Sequence, residues 1–245
     1  MTTTTPTPER RIQTSLLAPL EKRCLVWMAR RMPAAINSDH LTALGAVSML
    51  GVGLCYAFGG TSPIAMLAAI VFLAFNWFGD SLDGTLARVR GHERPRYGFY
   101  LDHVLDAVSI FFVFGGLAAG GHMTPLIAFG FLIAYYLLSI EIALAAHTVG
   151  IFKISYWKFG PTELRILLAL GTLQLMRSDV IAIAGLDLLL FDLGGVVAIV
   201  SVAATFIAAA VANTRHLYRA EPLPKTETKR SIRIFRLHTE DAGGV

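Results

Sequence analysis

The stretch GDSLDGTLARVRGHERPRYGFYLDHVLD, residues 79–106, gathers four aspartates, four arginines and four glycines in an otherwise apolar chain. Asp80 and Asp83 lie three residues apart, and Asp102 and Asp106 four apart, spacings that put each pair on one face of a helix. Carboxylates within a membrane-spanning segment are costly unless paired, and so point to function. Four convergent carboxylates repel one another unless cations neutralise them. Oxygen-only ligands suit a hard divalent ion, magnesium or manganese, better than zinc, which favours nitrogen and sulfur; two helix faces also lack the loop of carbonyls that would complete calcium's larger shell. Four aspartates have the capacity for two such ions, a common arrangement in phosphoryl chemistry. Arg88 carries a planar fork suited to phosphate oxygens. Gly84 and Ala87 are small enough to let a ligand approach the backbone between the acids and the arginine.

The elements that must hold these residues are membrane helices. Of the 245 residues, 55% are hydrophobic and 16% charged, with mean hydropathy +0.60; soluble domains carry nearer a quarter charged residues. The two cysteines, Cys24 and Cys55, offer neither a disulfide framework nor metal-ligand spacing. Six stretches approach the roughly 20 apolar residues a membrane helix needs: 41–59, 64–87, 99–119, 124–147, 161–177 and 186–212. Gly59-Gly60, Gly120-Gly121 and Gly160-Pro161 punctuate them. Basic residues crowd the segment before the first span, the loop holding Arg88, Arg90, Arg94 and Arg96, the loop with Lys153 and Lys158, and the tail after Arg215. Basic loops face the cytoplasm, so the pattern predicts six spans in the cell or inner membrane, with both termini and the aspartates on the cytoplasmic side.

Residues 9–32 mix leucines with basic residues at near-helical spacing, which predicts an amphipathic helix lying on the cytoplasmic leaflet. The expected fold class is thus all-α integral membrane, with six transmembrane helices and an N-terminal interfacial helix. Its divisions are a tail and interfacial helix at 1–32, a six-span domain at 33–212 and a basic cytoplasmic tail at 213–245. Membrane lipids are the expected surroundings, and no nucleic-acid partner is expected.

The pattern Asp80-x2-Asp83-Gly84-x2-Ala87-Arg88, followed by Gly98-x3-Asp102-x3-Asp106, resembles the signature of the CDP-alcohol phosphotransferases (also called CDP-alcohol phosphatidyltransferases), membrane enzymes of phospholipid synthesis. Nine residues rather than eight separate Arg88 from Gly98, the extra one falling in a loop, where insertion is tolerated best. The resemblance implies six helices around a polar cavity open to the cytoplasm, usually in a homodimer. It implies that Asp80, Asp83, Asp102 and Asp106 bind Mg²⁺ or Mn²⁺, two ions in all, and that Asp106 is also the general base. Gly84, Ala87 and Arg88 would line the CDP site. Asn37 and Thr42, entering the first span, would lie near the nucleotide, although the family's Pro-Asn pair is absent here. The implied reaction moves a substituted phosphate group from CDP-diacylglycerol or a CDP-alcohol to an alcohol and releases CMP.

Two other readings compete. One is an ion-pair network between the aspartates and the loop arginines, which leaves the glycines and the spacing unexplained. The other is a transporter coupling to cations or protons through its intramembrane aspartates; the inverted repeats and broken helices common in transporters are not evident in the sequence. Glu163 and Arg165, at the start of the fifth span, are candidates for the acceptor pocket, while Glu141 lies deeper in the fourth. The signature reads the CDP half of the reaction, so serine, glycerol phosphate, inositol or its phosphate, and diacylglycerol all stay open as acceptors.

Overall fold

A computed structural model describes residues 10–12, 18–149, 151–153, 161–183 and 185–223. The basic tail beyond Leu223 lies outside the described residues. Residues Met1–Ala210 and Val211–Val245 form separate compact units, and the site belongs entirely to the first.

The chain opens with a short strand β1 (Arg10–Ile12) and helix α1 (Ala18–Arg31), followed by α2 (Ser38–Phe58), α3 (Pro63–Arg90), α4 (Pro95–Ala119) and α5 (Pro125–Thr148). Strand β2 (Ile151–Lys153), helix α6 (Pro161–Leu175), strands β3 (Val180–Ile183) and β4 (Leu186–Leu189), and helix α7 (Leu190–Ala220) complete the order. Four of the helices begin on proline, whose fixed φ and missing N–H suit a first turn. Helix α2 instead has Asn37 as its N-cap: the side chain accepts from the His40 N–H at 3.0 Å, and His40 Nδ1 accepts from the Asn37 N–H at 3.4 Å. Among the described residues, α2, α3, α4, α5 and α7 are long and apolar enough to cross a membrane. Helix α6 has 15 residues, a rise of about 22 Å against a hydrocarbon core of about 30 Å. The fold is therefore all-α and integral to the membrane, as expected.

Two stretches expected as helix are extended instead. The helix expected from residue 186 begins only at Leu190, because 186–189 pair antiparallel with β3. Gly185, at φ +81°, supplies the left-handed turn conformation that side chains resist, and the neighbouring Val180, Ile181 and Ile183 favour strand. Likewise Arg10–Ile12 are extended and pair parallel with β2, so the N-terminal helix starts at Ala18.

The packing divides into two regions. Val52 and Tyr56 of α2, Met66 and Leu73 of α3, Val113 and Leu117 of α4, Phe131 of α5 and Leu168 of α6 form a buried apolar core. The Tyr56 hydroxyl and Thr172 Oγ1 meet there at 2.6 Å, so neither is left unpaired in an apolar setting. Gly116 and Gly53 let α4 and α2 touch: a Cβ on Gly116 would lie 2.3 Å from the Gly53 carbonyl oxygen. A second, smaller cluster packs Leu25 and Ala29 of α1 on Leu41, Leu82 and Leu86. Helix α1 is thus docked on α2 and α3, while Leu20 and Trp27 on its other side are exposed.

The basic loops predict a testable sidedness. Ser62 and Glu93 are both exposed, at opposite ends of α3. An impermeant thiol reagent added to intact cells should label Ser62→Cys and spare Glu93→Cys until the membrane is permeabilised. External labelling of the position-93 variant would reverse the orientation. His122 is a poor reporter for the outer face because it is buried, 3% exposed.

Candidate active site

Helix α2 packs closely against both α3 and α4, whereas α3 and α4 stand farther from each other. The α2–α3 contact rests on two glycines. A Cβ on Gly79 would lie 2.4 Å from the Leu41 carbonyl oxygen and 2.7 Å from the Gly45 nitrogen. Asp80 follows Gly79 directly, so the glycine contact fixes how deeply that carboxylate sits. Helix α3 ends at Gly91, whose φ of +66° forms a left-handed C-cap, and α4 begins four residues later at Pro95. The short turn sends α4 back along α2 with Asp102 and Asp106 facing the aspartates of α3.

Asp80, Asp102 and Asp106 each offer a carboxylate oxygen, all within 4.8 Å of one another. A small cavity of about 20 Å³ lies among them, lined also by Thr42, Gly45 and Ser109. The site opens into a larger cavity of about 4120 Å³ whose lining includes all four motif aspartates, Arg88 and Arg165. An all-oxygen, acidic donor set around a hole of this size fits a hard divalent cation.

Asp83 stands outside that group of three. Its Oδ2 accepts from Thr42 Oγ1 at 2.6 Å, and its Oδ1 accepts from the Gly84 N–H. Ser38 Oγ donates to the Asp83 carbonyl oxygen at 2.9 Å. Two residues at the start of α2 therefore hold Asp83 in place. Thr42, expected near the nucleotide, orients a motif acid, and Asn37 caps the helix that carries it; both line the large cavity. Arg88 rests on Thr85, its Nη2 donating to Oγ1 at 3.1 Å, with the guanidinium above Gly84, where a Cβ would come within 3.4 Å of it.

The partner of Asp80 comes from far along the chain. Arg165 of α6 donates through Nη2 to Asp80 and through Nε to the Asn76 side-chain oxygen at 2.6 Å. Asn76 in turn donates to the Gly45 carbonyl at 3.0 Å. Glu163, two residues from Arg165, is half-buried and is not among the described residues lining the cavity. The loop arginines serve elsewhere: Arg94 pairs with Asp39 at 2.5 Å, and Arg90 donates to the carbonyls of Met32, Pro33 and Ile36. In the competing ion-pair reading the loop arginines neutralise the aspartates; Arg90 and Arg94 are instead engaged as above, and Arg165 of α6 pairs with Asp80. Asn76 was not singled out in the sequence, although a lone amide inside the apolar run VFLAFNWFGD carries the signal of an intramembrane polar group.

The chain belongs to the CDP-alcohol phosphatidyltransferase family, whose profile matches residues 36–207. Members transfer phospholipid head groups from CDP-alcohols, and the chain is accordingly a CDP-alcohol phosphotransferase. Its fold is similar to that of the phosphatidylinositol phosphate synthase of Mycobacterium tuberculosis solved with CDP-DAG bound, with a TM-score of 0.53 and 20% identity. That match covers 80% of this chain and 94% of the other. No curated protein matched by sequence.

The glycine contact gives a direct test. Gly79→Ala places a methyl against backbone, and overpacking of this kind costs about 1–3 kcal/mol. Its melting temperature in detergent should fall, whereas Gly115→Ala, with nothing within 4 Å of its Cβ, should hold or rise. Equal melting of the Gly79→Ala variant and the parent would mean that α2 and α3 do not approach this closely.

Proposed function

We propose that this enzyme transfers a substituted phosphate group from a CDP-linked lipid or alcohol to an alcohol acceptor, releasing CMP, at the cytoplasmic end of the bundle. The observation that carries the reading is the convergence of Asp80, Asp102 and Asp106 within 4.8 Å beside a cavity that also takes in Arg88. Family membership favours group transfer over the transporter reading. A structural neighbour solved with CDP-DAG makes CDP-diacylglycerol the first donor to try. Assembly as a homodimer is part of the proposal, on the family resemblance.

The chemistry follows from the residues. The acceptor hydroxyl gives its proton to a carboxylate oxygen of Asp106, which is exposed to the cavity. The freed oxygen forms a bond to the β-phosphorus of the donor. The bond from that phosphorus to the bridging oxygen breaks, and CMP departs with the electron pair. Arg88 binds diphosphate oxygens through its fork, and Gly84 and Ala87 leave room for the diphosphate beside the backbone of α3. Asn37 and Thr42 border the nucleotide end. Asp80, Asp102 and Asp106, with Asp83 beside them, would hold magnesium or manganese, which when bound would neutralise the acids and polarise the phosphate. A carboxylate is a weak base for an alcohol, so the preset position of Asp106 is what makes it effective.

Protein in detergent, with no sealed compartment, should release CMP from CDP-diacylglycerol with one of a panel of polar alcohols. CDP-choline and CDP-ethanolamine with diacylglycerol should be run beside it. Chelation of divalent metal should stop the release. Metal-dependent ion flux into sealed vesicles, with no CMP from any pair, would instead favour a transporter.

Asp106→Asn keeps the side-chain volume but removes charge and basicity. A positioned general base contributes about 10²–10⁴-fold to rate, so turnover at saturating Mg²⁺ should fall by a factor in that range while CDP binding persists. Normal turnover of this variant would remove Asp106 from the role of base.

A further inference from the structure

The N-terminal helix, which lies outside the residues matched to the family, makes a polar contact beside the site. Glu21 of α1 is half-buried, and its Oε1 accepts three hydrogen bonds: from Trp77 Nε1 at 2.8 Å, Ser81 Oγ at 3.4 Å and Thr162 Oγ1 at 2.7 Å. Two of these donors belong to α3 and one to α6. Their positions are informative. Trp77 and Ser81 each follow by one residue the two groups that hold Arg165, namely Asn76 and Asp80. Thr162 precedes Arg165 by three residues, on the same face of α6. Two parallel ties therefore join α3 to α6, one direct through Arg165 and one routed through the carboxylate of Glu21. Glu21 also sits at the N-terminus of α6, where negative charge is favoured by the helix dipole. Helix α1 is itself anchored, by Leu25 and Ala29 in the apolar patch and by Arg90 on the carbonyls that follow the helix.

We propose that Glu21 is a positioning residue for this reaction: it sets the start of α6, and through it the seat of Arg165 on Asp80 and Asn76, so that the N-terminal helix tunes the acceptor side of the active site. The acceptor assignment rests on the proposed function, with Arg165 read as part of its acceptor pocket; the positioning of α6 does not. Glu21→Ala removes the acceptor atom for all three donors. Glu21→Gln keeps an oxygen there and loses only the charge. Thr162→Val removes the α6 end alone and leaves the docking of α1 untouched.

Glu21→Ala and Thr162→Val should each raise KM for the alcohol about tenfold, the scale of losing a hydrogen bond to a charged group, with KM for the CDP donor unchanged. Glu21→Gln should stay within about threefold of the parent. In an Arg165→Lys background the Glu21→Ala change should add little, because contributions that act through one residue are not additive. Spin labels at Leu67 and Ile166, exposed positions on α3 and α6, give a readout independent of catalysis: one narrow distance in the parent and Glu21→Gln, a broadened one in Glu21→Ala and Thr162→Val. Unbroadened distances in both variants would overturn the positioning role, whatever the enzyme's activity. Broadened distances with the parent inactive on every substrate pair would keep it and sink the proposed function. Equal loss of KM for donor and acceptor, or full additivity with Arg165→Lys, would overturn the route through Arg165.

Discussion

The close seating of α2 against both α3 and α4 is the constraint on which the rest depends. Glycine carries it at each contact, Gly79 with Gly45 on one side and Gly116 with Gly53 on the other. Small residues let helix backbones approach where lipid offers no hydrophobic drive for association. With α2 as a common backing, α3 and α4 need not pack on each other, and the space left between them is where the carboxylates meet. Had α3 and α4 packed directly, Asp80 and Asp106 would have been pressed together or turned outward, and no cavity would have formed.

Holding three carboxylates within 4.8 Å is electrostatically costly: two unit charges 4 Å apart at an effective dielectric near 20 interact by about 4 kcal/mol. The protein offsets part of this with Arg165 on Asp80. The bonds to Asp83 from Thr42 and Gly84 hold the fourth acid apart from the cluster. The remaining negative charge explains why the arrangement suits a cation. The main apolar packing of the helices lies elsewhere, in the core around Val52, Met66 and Leu117. That separation lets the polar end carry unfavourable charge without the bundle depending on it.

Much of this was legible in the sequence, for reasons that can be traced to particular residues. The aspartates were legible because their spacing matches the turn of a helix, and the helices because their apolar runs match the thickness of a bilayer. The turn at Gly91–Arg94 fixed which acids would face each other. What the sequence hid were contacts between residues distant along the chain. Arg165 lies 85 residues from Asp80, and Thr162 lies 141 from Glu21; no periodicity reports such pairs. The role of Thr42 was hidden differently. Its residue type suits both a nucleotide contact and a bond to Asp83, and only the placement of α2 against α3 reveals the second. The hairpin at 180–189 escaped because the leucines of its second strand also suit the start of a membrane helix.

The division of the site between helices bears on why one signature spans several acceptors. The motif lies wholly on α3, α4 and the turn between them, and these elements carry the acids and Arg88, the groups suited to a diphosphate that every CDP-linked donor shares. Arg165 comes from α6, outside the motif, and is hydrogen-bonded to Asp80 and Asn76. Asp83 has its own support from α2, through Thr42 and Ser38, whereas Asp80 is shared with α6 through Arg165. Within this arrangement, selectivity for the alcohol would belong to α6 and the walls it shares with α5, and chemistry at phosphorus to α3 and α4. The two meet at Asp80, which faces the acid cluster and also holds the cation of α6. Under the proposed function, that single carboxylate would link the cation of α6 to the acids placed at the phosphate.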